Sequence, residues 1–424
     1  MKRDCSIDIR HLTRVEGHGN ILIRISGGKL VEARWAVVET PRFFEVMVKG
    51  MSAERVPFLT SRICGICSIS HALASIRALE RAMQVTPPPA AEAVRLLAMH
   101  GETLQSHALH LFFLALPDFA GTPGILPLLE SHPELVRAGL HLKELGNEIS
   151  TVTAGRCTHP VSLVLGGLSK APDRNHMQQL LDIIGERKSA LEVACDFFAS
   201  LDIPQFERET EFISLHNGST YPFIGGELVS TDGVRRSEND YLLMTNEYLT
   251  EFSTSKFTRC SRESSAAGAL ARFNNNSAFL HPEAKKAAEK LGLRKVSHNP
   301  FMNNIARLAE CVHILYDAEA LIEQLLGTNL QEIRTHFTPK AGSATGAVEA
   351  PRGILYHHLE TDEEGRVTKA DCIIPTTQNN ANIHFDLHAL ALQSLEEGKT
   401  DREIEKLAEM LVRSYDPCIS CSVH

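Results

Sequence analysis

Two C-x-x-C pairs, Cys64/Cys67 and Cys418/Cys421, carry the clearest chemical capacity in this sequence. The first lies in Arg62-Ile-Cys64-Gly-Ile-Cys67-Ser-Ile-Ser-His71, the second in Asp416-Pro-Cys418-Ile-Ser-Cys421-Ser-Val-His424. The thiolate is the form that ligates metal, and a helix N-terminus favours it through its dipole and free N–H groups. Four thiolates from two such units suit tetrahedral zinc, an iron–sulfur cluster or a soft-ligand site for nickel and iron. Cys67 and Cys418 are 351 residues apart. Zinc ribbons space their pairs by about 15 to 20 residues, so a ribbon is disfavoured, while a zinc clip joining distant segments stays open. Thiol–disulfide exchange has less support, because no thioredoxin-like βαβ pattern surrounds either pair.

Three further segments read as polar linings. Arg14-Val-Glu16-Gly-His18 falls between two strand-like runs. Glu349-Ala-Pro351-Arg352-Gly follows a Gly-rich stretch, and Pro375-Thr376-Thr377-Gln378-Asn379-Asn380-Ala-Asn382 follows an apolar run. Taken alone, each also has an ordinary reading: a surface Arg14/Glu16 pair, a solvated turn arginine, a Thr/Asn turn.

These residues must be positioned by the elements around them. Residues 6–9, 20–25 and 30–38 read as strands, with Gly27-Gly28 as a hairpin signal between the last two. From Ser68 the pattern becomes helical: Ile69, Leu73, Ile76, Leu79 and Met83 recur at spacings of three and four. Pro87-Pro88-Pro89 breaks the chain, and a second helical stripe runs to Pro117. Further helices are expected near 134–154, 173–200 and 235–251. Residues 303–326 form the clearest stripe, a rod of roughly 36 Å. Residues 340–385 return to Gly/Pro-rich, β-like sequence with a hairpin signal at 362–365, and 402–415 is a last helix ended by Pro417. The expected fold is mainly α, a helical bundle core with small flanking α/β layers. It forms a single domain over 1–424, with N-terminal strands (6–38) and a segment (340–424) that returns to the metal site.

Composition fits this picture. The 424 residues are 43% hydrophobic and 22% charged, too apolar for disorder. A net charge of −9 disfavours nucleic acid as a partner. No uninterrupted apolar run is long enough for a membrane span, and MKRDCSIDIR has no apolar signal region. Ten cysteines are too few for a disulfide scaffold. A cytoplasmic protein is expected.

Together the motifs resemble, in order along the whole chain, the large catalytic subunit of nickel–iron hydrogenases: RVEGHGN, RICGICSISH, the helix ending in LPD at Asp118, HP with Gly166-Gly167, EAPRG, PTTQNNAN and DPCISCSVH. The resemblance implies a nickel–iron centre whose iron carries carbon monoxide and cyanide, and the reaction H2 ⇌ 2H⁺ + 2e⁻. It implies Cys64 and Cys418 as terminal nickel thiolates and Cys67 and Cys421 as bridging thiolates. Glu16 would relay protons. Arg352 would overhang the iron, with Pro351 and Thr376 around the cyanides. Asp118 would orient Arg352, Asp416 would do likewise, and His71 would hydrogen-bond a bridging sulfur. A second ion, magnesium or iron, would be held by Glu45, the Cys372 backbone carbonyl and His424.

The resemblance also implies partners. Beyond the four ligands, only isolated cysteines remain, so an iron–sulfur small subunit must carry electrons away. PRFFEVMVKG and ADCIIPTTQNNANI resemble the cytoplasmic bidirectional group, especially its viologen-reducing, heterodisulfide-reductase-linked branch, with F420- and NAD(P)-linked branches open. Family precursors carry an extension that is cut after the last motif, so the chain reads as a processed form or as a gene ending there. Two alternatives share the resemblance. A regulatory hydrogen sensor would keep the ligands and change partners. A quinone-site relative from respiratory complex I would keep the fold and lack the four cysteines.

Overall fold

A computed structural model describes residues 4–424. Strands β1 (Cys5–Ile9), β2 (Gly19–Ser26) and β3 (Lys29–Val37) form an antiparallel sheet. Alternation along β2 turns Ile21, Ile23 and Ile25 inward, as a half-buried strand requires. Trp35 of β3 is fully buried, and its indole N–H reaches Asn380 Oδ1 at 3.0 Å, tying this sheet to the far end of the chain.

The helices that frame the site are α1 (Ser68–Met83), α2 (Pro89–Leu109), α3 (Pro133–Ala154), α4 (Arg174–Ala199), α5 (Ala269–Asn276), α6 (Met302–Gly327), α7 (Pro375–Glu396) and α8 (Asp401–Ser414), with Pro282–Lys290 and several shorter helices between them. Their ends follow from local chemistry. Gln84 closes α1 in the left-handed region, and Pro89 starts α2 where a missing N–H costs nothing. Asp173 caps α4 by accepting from the Asn175 and His176 N–H groups. Thr400 and Glu403 form a capping box on α8. Helix α2 packs on α3 and α6, and α4 packs on α3 and α6. The α2–α3 crossing is close because Gly146 has no side chain: a Cβ there would lie 2.5 Å from the Gln105 nitrogen.

Strands β4 (Gly342–Ala350), β5 (Gly353–Thr361) and β6 (Val367–Ile373) form a second antiparallel meander against α1. Ala350 pairs with Gly353, so Pro351 and Arg352 are the two-residue tip of the β4–β5 hairpin. A smaller sheet joins 211–216, 227–230, 235–236 and 265–266.

Three local expectations change. Residues 235–251 hold the short strand Arg235–Arg236, a 3₁₀ turn and the five-residue helix Tyr241–Thr245 in place of one long helix. Asn246 adopts the left-handed conformation, and Tyr248 then pairs with Phe257. The stripe expected to run to Pro117 is α2 followed by a π-helical turn, His110–Ala115, and a short helix to Phe119. The Pro375–Asn382 run is the first two turns of α7, with Pro375 in the first turn.

Candidate metal centre

The two cysteine pairs arrive from opposite ends of the chain. Cys64 follows a 3₁₀ turn, and Cys67 is the N-cap of α1. Past α8, Asp416 takes a positive φ of 51° and Pro417 forbids further helix, so the segment turns inward. It is held there by backbone contacts. The Cys418 N–H donates to Thr376 Oγ1 at 2.9 Å, and the Ile419 N–H donates to the Glu16 carbonyl at 3.0 Å. Gly17 makes that approach possible: a Cβ there would sit 2.8 Å from Ile419 Cβ, and its φ is +81°.

All four sulfurs are buried and lie within 4.8 Å of one another. Cys64 Sγ is 3.7 Å from Cys418 Sγ, and Cys67 Sγ is 4.0 Å from Cys421 Sγ. The Cys418 and Cys421 sulfurs are in direct contact as a closed C-x-x-C pair. The Cys67 thiol and its N–H both favour the Cys64 thiolate, and nearby Arg352 adds to this, so the Cys64 pKa is lowered. The Cys67 thiol is pushed up by that same hydrogen bond and by burial. One of the two is therefore the readier thiolate, which suits a metal-binding pair.

Arg352 reaches this cluster from the hairpin tip, only 3% exposed, not as a solvated turn charge. Its Nε donates to the Asp416 carbonyl at 2.7 Å and its Nη2 to Asp416 Oδ1 at 3.1 Å. Burial opposes its charge, but Asp416 and the two thiols raise its pKa further above the ordinary range. Its Nη1 is buried without a protein partner. Arg352, Cys67, Cys418, Cys421, His71 and Thr376 line an enclosed cavity of about 10 Å³ together with Ala350, Leu355, Ile374 and Pro375. An orphaned guanidinium N–H in a small cavity lined by three of the four cysteines fits a soft metal that carries small hydrogen-bond-accepting ligands.

The hairpin tip is itself braced. Arg272 of α5 is fully buried between Glu310 of α6 and Glu349. It donates to the Ala350 carbonyl at 3.0 Å and to the Pro351 carbonyl at 3.2 Å. Glu16 is not paired with Arg14. Its carboxylate accepts from the Ser420 N–H at 3.0 Å and from the Ser420 hydroxyl.

Asp118 does not orient Arg352. It binds Arg413 through two hydrogen bonds of 2.7 and 2.9 Å and also takes Arg14. The chain leaves α2 through the π-helical turn, and Asp118 then faces α8; Asp416 alone grips Arg352. His71 Nδ1 is hydrogen-bonded with His357 Nε2 at 3.1 Å, and the ring lines the cavity beside Cys67 and Cys421. His357 continues to Ser75 Oγ at 2.7 Å, and burial lowers the pKa of both imidazoles.

A second group gathers Glu45, Cys372 and His424, with donor atoms within 4.8 Å. The Cys372 N–H donates to Glu45 Oε1 at 2.8 Å, and His424 Nε2 is 3.3 Å from the same oxygen. Burial would raise the Glu45 pKa, but His424, this N–H and Lys256 lower it. A carboxylate and an imidazole at one point form a donor set for a divalent ion, the carboxylate suiting magnesium and the imidazole a transition metal such as iron.

Three residues around the site had no signal in their spacing. Arg42 Nη2 donates to the Ile63 carbonyl at 2.7 Å and to the Ser420 carbonyl at 2.6 Å, clamping one cysteine segment to the other. Glu102 of α2 accepts from the Ile69 and Ser70 N–H groups at 2.6 and 2.9 Å, filling the start of α1. Burial pushes its pKa up to about 8 against those hydrogen bonds. Arg272 is the third. A lone Arg or Glu in an ordinary helix or loop carries no mark of what it will face.

Comparison with known proteins gives concordant matches. The family model described as nickel-dependent hydrogenase matches residues 42–127 and 228–424, and a HoxL-like model matches 6–40. The alpha chain of sulfhydrogenase 2 from Pyrococcus furiosus is 32% identical over 99% of this chain and 98% of its own length. The beta chain of the NAD-reducing hydrogenase HoxS from Cupriavidus necator is 30% identical over 100% of this chain and 95% of its own. The F420-non-reducing hydrogenase vhu of Methanococcus voltae supplies a relative that is 32% identical over 88% of this chain and 95% of its own. A solved NAD⁺-reducing [NiFe]-hydrogenase in the H2-reduced state superposes with a TM-score of 0.88 at 31% identity, covering 100% of this chain and 99% of that one.

Proposed function

The chain belongs to the nickel-dependent hydrogenase family as the catalytic large subunit of a [NiFe] hydrogenase, an oxidoreductase acting on hydrogen, and from this we propose a role for each residue of its centre. Cys64 and Cys418 would hold nickel as terminal thiolates, and Cys67 and Cys421 would be the thiolates that nickel and iron share. The observation that carries this is the matched approach of equivalent cysteines, first to first and second to second, across two segments from opposite ends of the chain. When bound, the centre supplies the redox chemistry of H2 ⇌ 2H⁺ + 2e⁻, with carbon monoxide and cyanide on its iron.

The protein supplies charge, orientation and proton transfer. Glu16, held by Ser420 beside the cysteine segment, takes or gives the proton. Arg352 holds fixed positive charge over the cavity, and its free Nη1 would donate to a cyanide; Thr376 lines the same cavity, and the Pro351 backbone, beside Arg352 at the hairpin tip, would face the other cyanide. Asp416 fixes the guanidinium. Asp118 works one step further out, anchoring the end of α8 through Arg413. His71 supports the cysteine wall through its contact with His357. Glu45, His424 and the Cys372 carbonyl hold the second ion, magnesium or iron.

The partner is an iron–sulfur small subunit, since the described residues form only two metal-capable groups and both are used. A further electron-transfer subunit, heterodisulfide-reductase-linked or F420/NAD(P)-linked, completes the assembly. This reading is supported by relatives whose names specify F420-non-reducing and NAD-reducing enzymes. We read residues 1–424 as one domain with a helical-bundle core, located in the cytoplasm; among the described residues no helix is long and apolar enough to cross a membrane. The test is hydrogen-dependent reduction of a one-electron dye by the chain matured together with its small subunit. Sustained uptake is expected, and a metal-loaded complex with no uptake would favour a hydrogen sensor.

A further inference from the structure

The seam between α2 and α6 is polar where packed helices are usually apolar. His100 Nε2 meets Asp317 Oδ2 at 2.6 Å, and His107 Nε2 meets Glu310 Oε2 at 2.8 Å. Seven residues forward on α2 are therefore seven back on α6, and this antiparallel register sets His110 opposite Arg307, whose charge acts on it. His100, Thr103, His107 and His110 fall on one face at spacings of three and four, with Ser106 beside it. All five are buried. Each carries a buried polar atom with no protein partner: Nδ1 of the three histidines and the hydroxyls of Thr103 and Ser106.

The atom types are complementary. Each imidazole turns Nε2 toward an acceptor: Asp317, Glu310 or, for His110, the Arg413 carbonyl at 2.8 Å. Nε2 therefore carries the proton, and Nδ1 is left as a lone-pair acceptor. Thr103 and His107 are four residues apart on the helix, as are Ser106 and His110, which makes each pair neighbours with Cβ atoms about 5–6 Å apart. Neither hydroxyl bonds its Nδ1 directly, and such a pair suits one water that accepts from the hydroxyl and donates to Nδ1.

The stripe has two ends. At the outer end Asp317 borders a surface cavity of about 600 Å³, shared with His281, His313 and Tyr221. At the inner end, Arg307 Nε, Asp416 Oδ2 and Arg352 Nη1 are again buried without protein partners. The distance along α2 from His100 to His110 is about 15 Å. This inference rests on the hydrogenase reading, which requires protons to cross the interior. We propose that the α2–α6 seam holds a file of ordered waters that carries protons between the metal centre and the surface cavity at Asp317. Each water passes one proton on and receives one from its neighbour, and the hydrogen bonds of the file then turn back to their starting sense before the next transfer. The cavity exchanges the protons of the hydrogen reaction with solvent.

The test uses the complete heteromeric enzyme with its nickel content verified. A high-resolution crystal structure should place one water within hydrogen-bond distance of Thr103 Oγ1 and His107 Nδ1, and another at Ser106 Oγ and His110 Nδ1. A dry seam, with both hydroxyls turned to carbonyls of their own helix, overturns the proposal. Thr103→Val keeps the volume and removes the hydroxyl; D2/H2O exchange should fall roughly tenfold with the infrared signature of the centre unchanged. Thr103→Ser should restore it. Unchanged exchange in Thr103→Val removes the seam from proton transfer. An enzyme without nickel would instead defeat the hydrogenase reading.

Discussion

Arg352 grips Asp416 twice, through its backbone carbonyl and its carboxylate, and Asp416 stands two residues before Cys418. One guanidinium thus fixes the hairpin tip to the segment that delivers two of the four sulfurs. Its third nitrogen is left free in the cavity the sulfurs line.

That geometry makes Arg352→Lys a severe change. An ammonium has no planar fork, so it cannot hold both Asp416 oxygens and still present a donor to the cavity. Hydrogen uptake should fall by about two orders of magnitude or more, with nickel content retained. Near-normal uptake in a fully loaded variant would take the arginine out of the reaction.

Glu16→Gln keeps the shape and an acceptor for the Ser420 N–H, but it loses the exchangeable proton. Turnover should drop at least about a hundredfold. Nickel content and infrared bands should match the parent. Measuring all three on one preparation separates a lost relay from a lost centre.

Asp118 carries a structural prediction. Asp118→Ala would leave the buried Arg413 with Glu409 as its one remaining carboxylate partner and would take Asp118 from Arg14 as well. Breaking one side of such a buried pair costs about 3–5 kcal/mol. Chemical denaturation should register that loss. Arg413→Met together with Asp118→Leu should recover part of it, because the buried Arg413 charge is gone while the more exposed Arg14 can turn to water.

Acid should destabilise the fold through the polar seam. Burial lowers the pKa of His107 to about 4, of His110 to about 3 and of His313 to about 4. The unfolded chain titrates them near 6.5. Each therefore contributes stability above that value, and the contribution is lost as pH falls toward 4. Near pH 5 the unfolded state binds about three more protons at these groups, a slope of about 4 kcal/mol per pH unit. The pH dependence of the unfolding free energy checks this; a flat profile between pH 6.5 and 4 would contradict the neutral, buried state of these imidazoles.

Much of this was legible in the residues. The spacing of the paired cysteines marked them, and the ordered resemblance singled out Glu16, Arg352, Thr376 and the Glu45/Cys372/His424 group; the structure gathers the cysteines into one group and Glu45, Cys372 and His424 into another. The strands at both ends and α1, α3, α4, α6 and α8 follow from periodicity. Contacts made across hundreds of residues were not legible. Asp118 lies at the end of an LPD motif, but its partner is set by how the π-helical turn aims it at α8. Residues 235–251 looked helical until Asn246 and the Tyr248–Phe257 pairing intervened. Arg42, Glu102 and Arg272 act only through what tertiary packing brings to them.

The proposed nickel–iron centre at Cys64, Cys67, Cys418 and Cys421 is tested most directly by metal analysis with infrared spectroscopy on protein matured in its own host. One nickel per chain, with bands from carbon monoxide and cyanide that vanish in Cys64→Ser, is the predicted result. Zinc alone at the four cysteines, with no such bands, would contradict it.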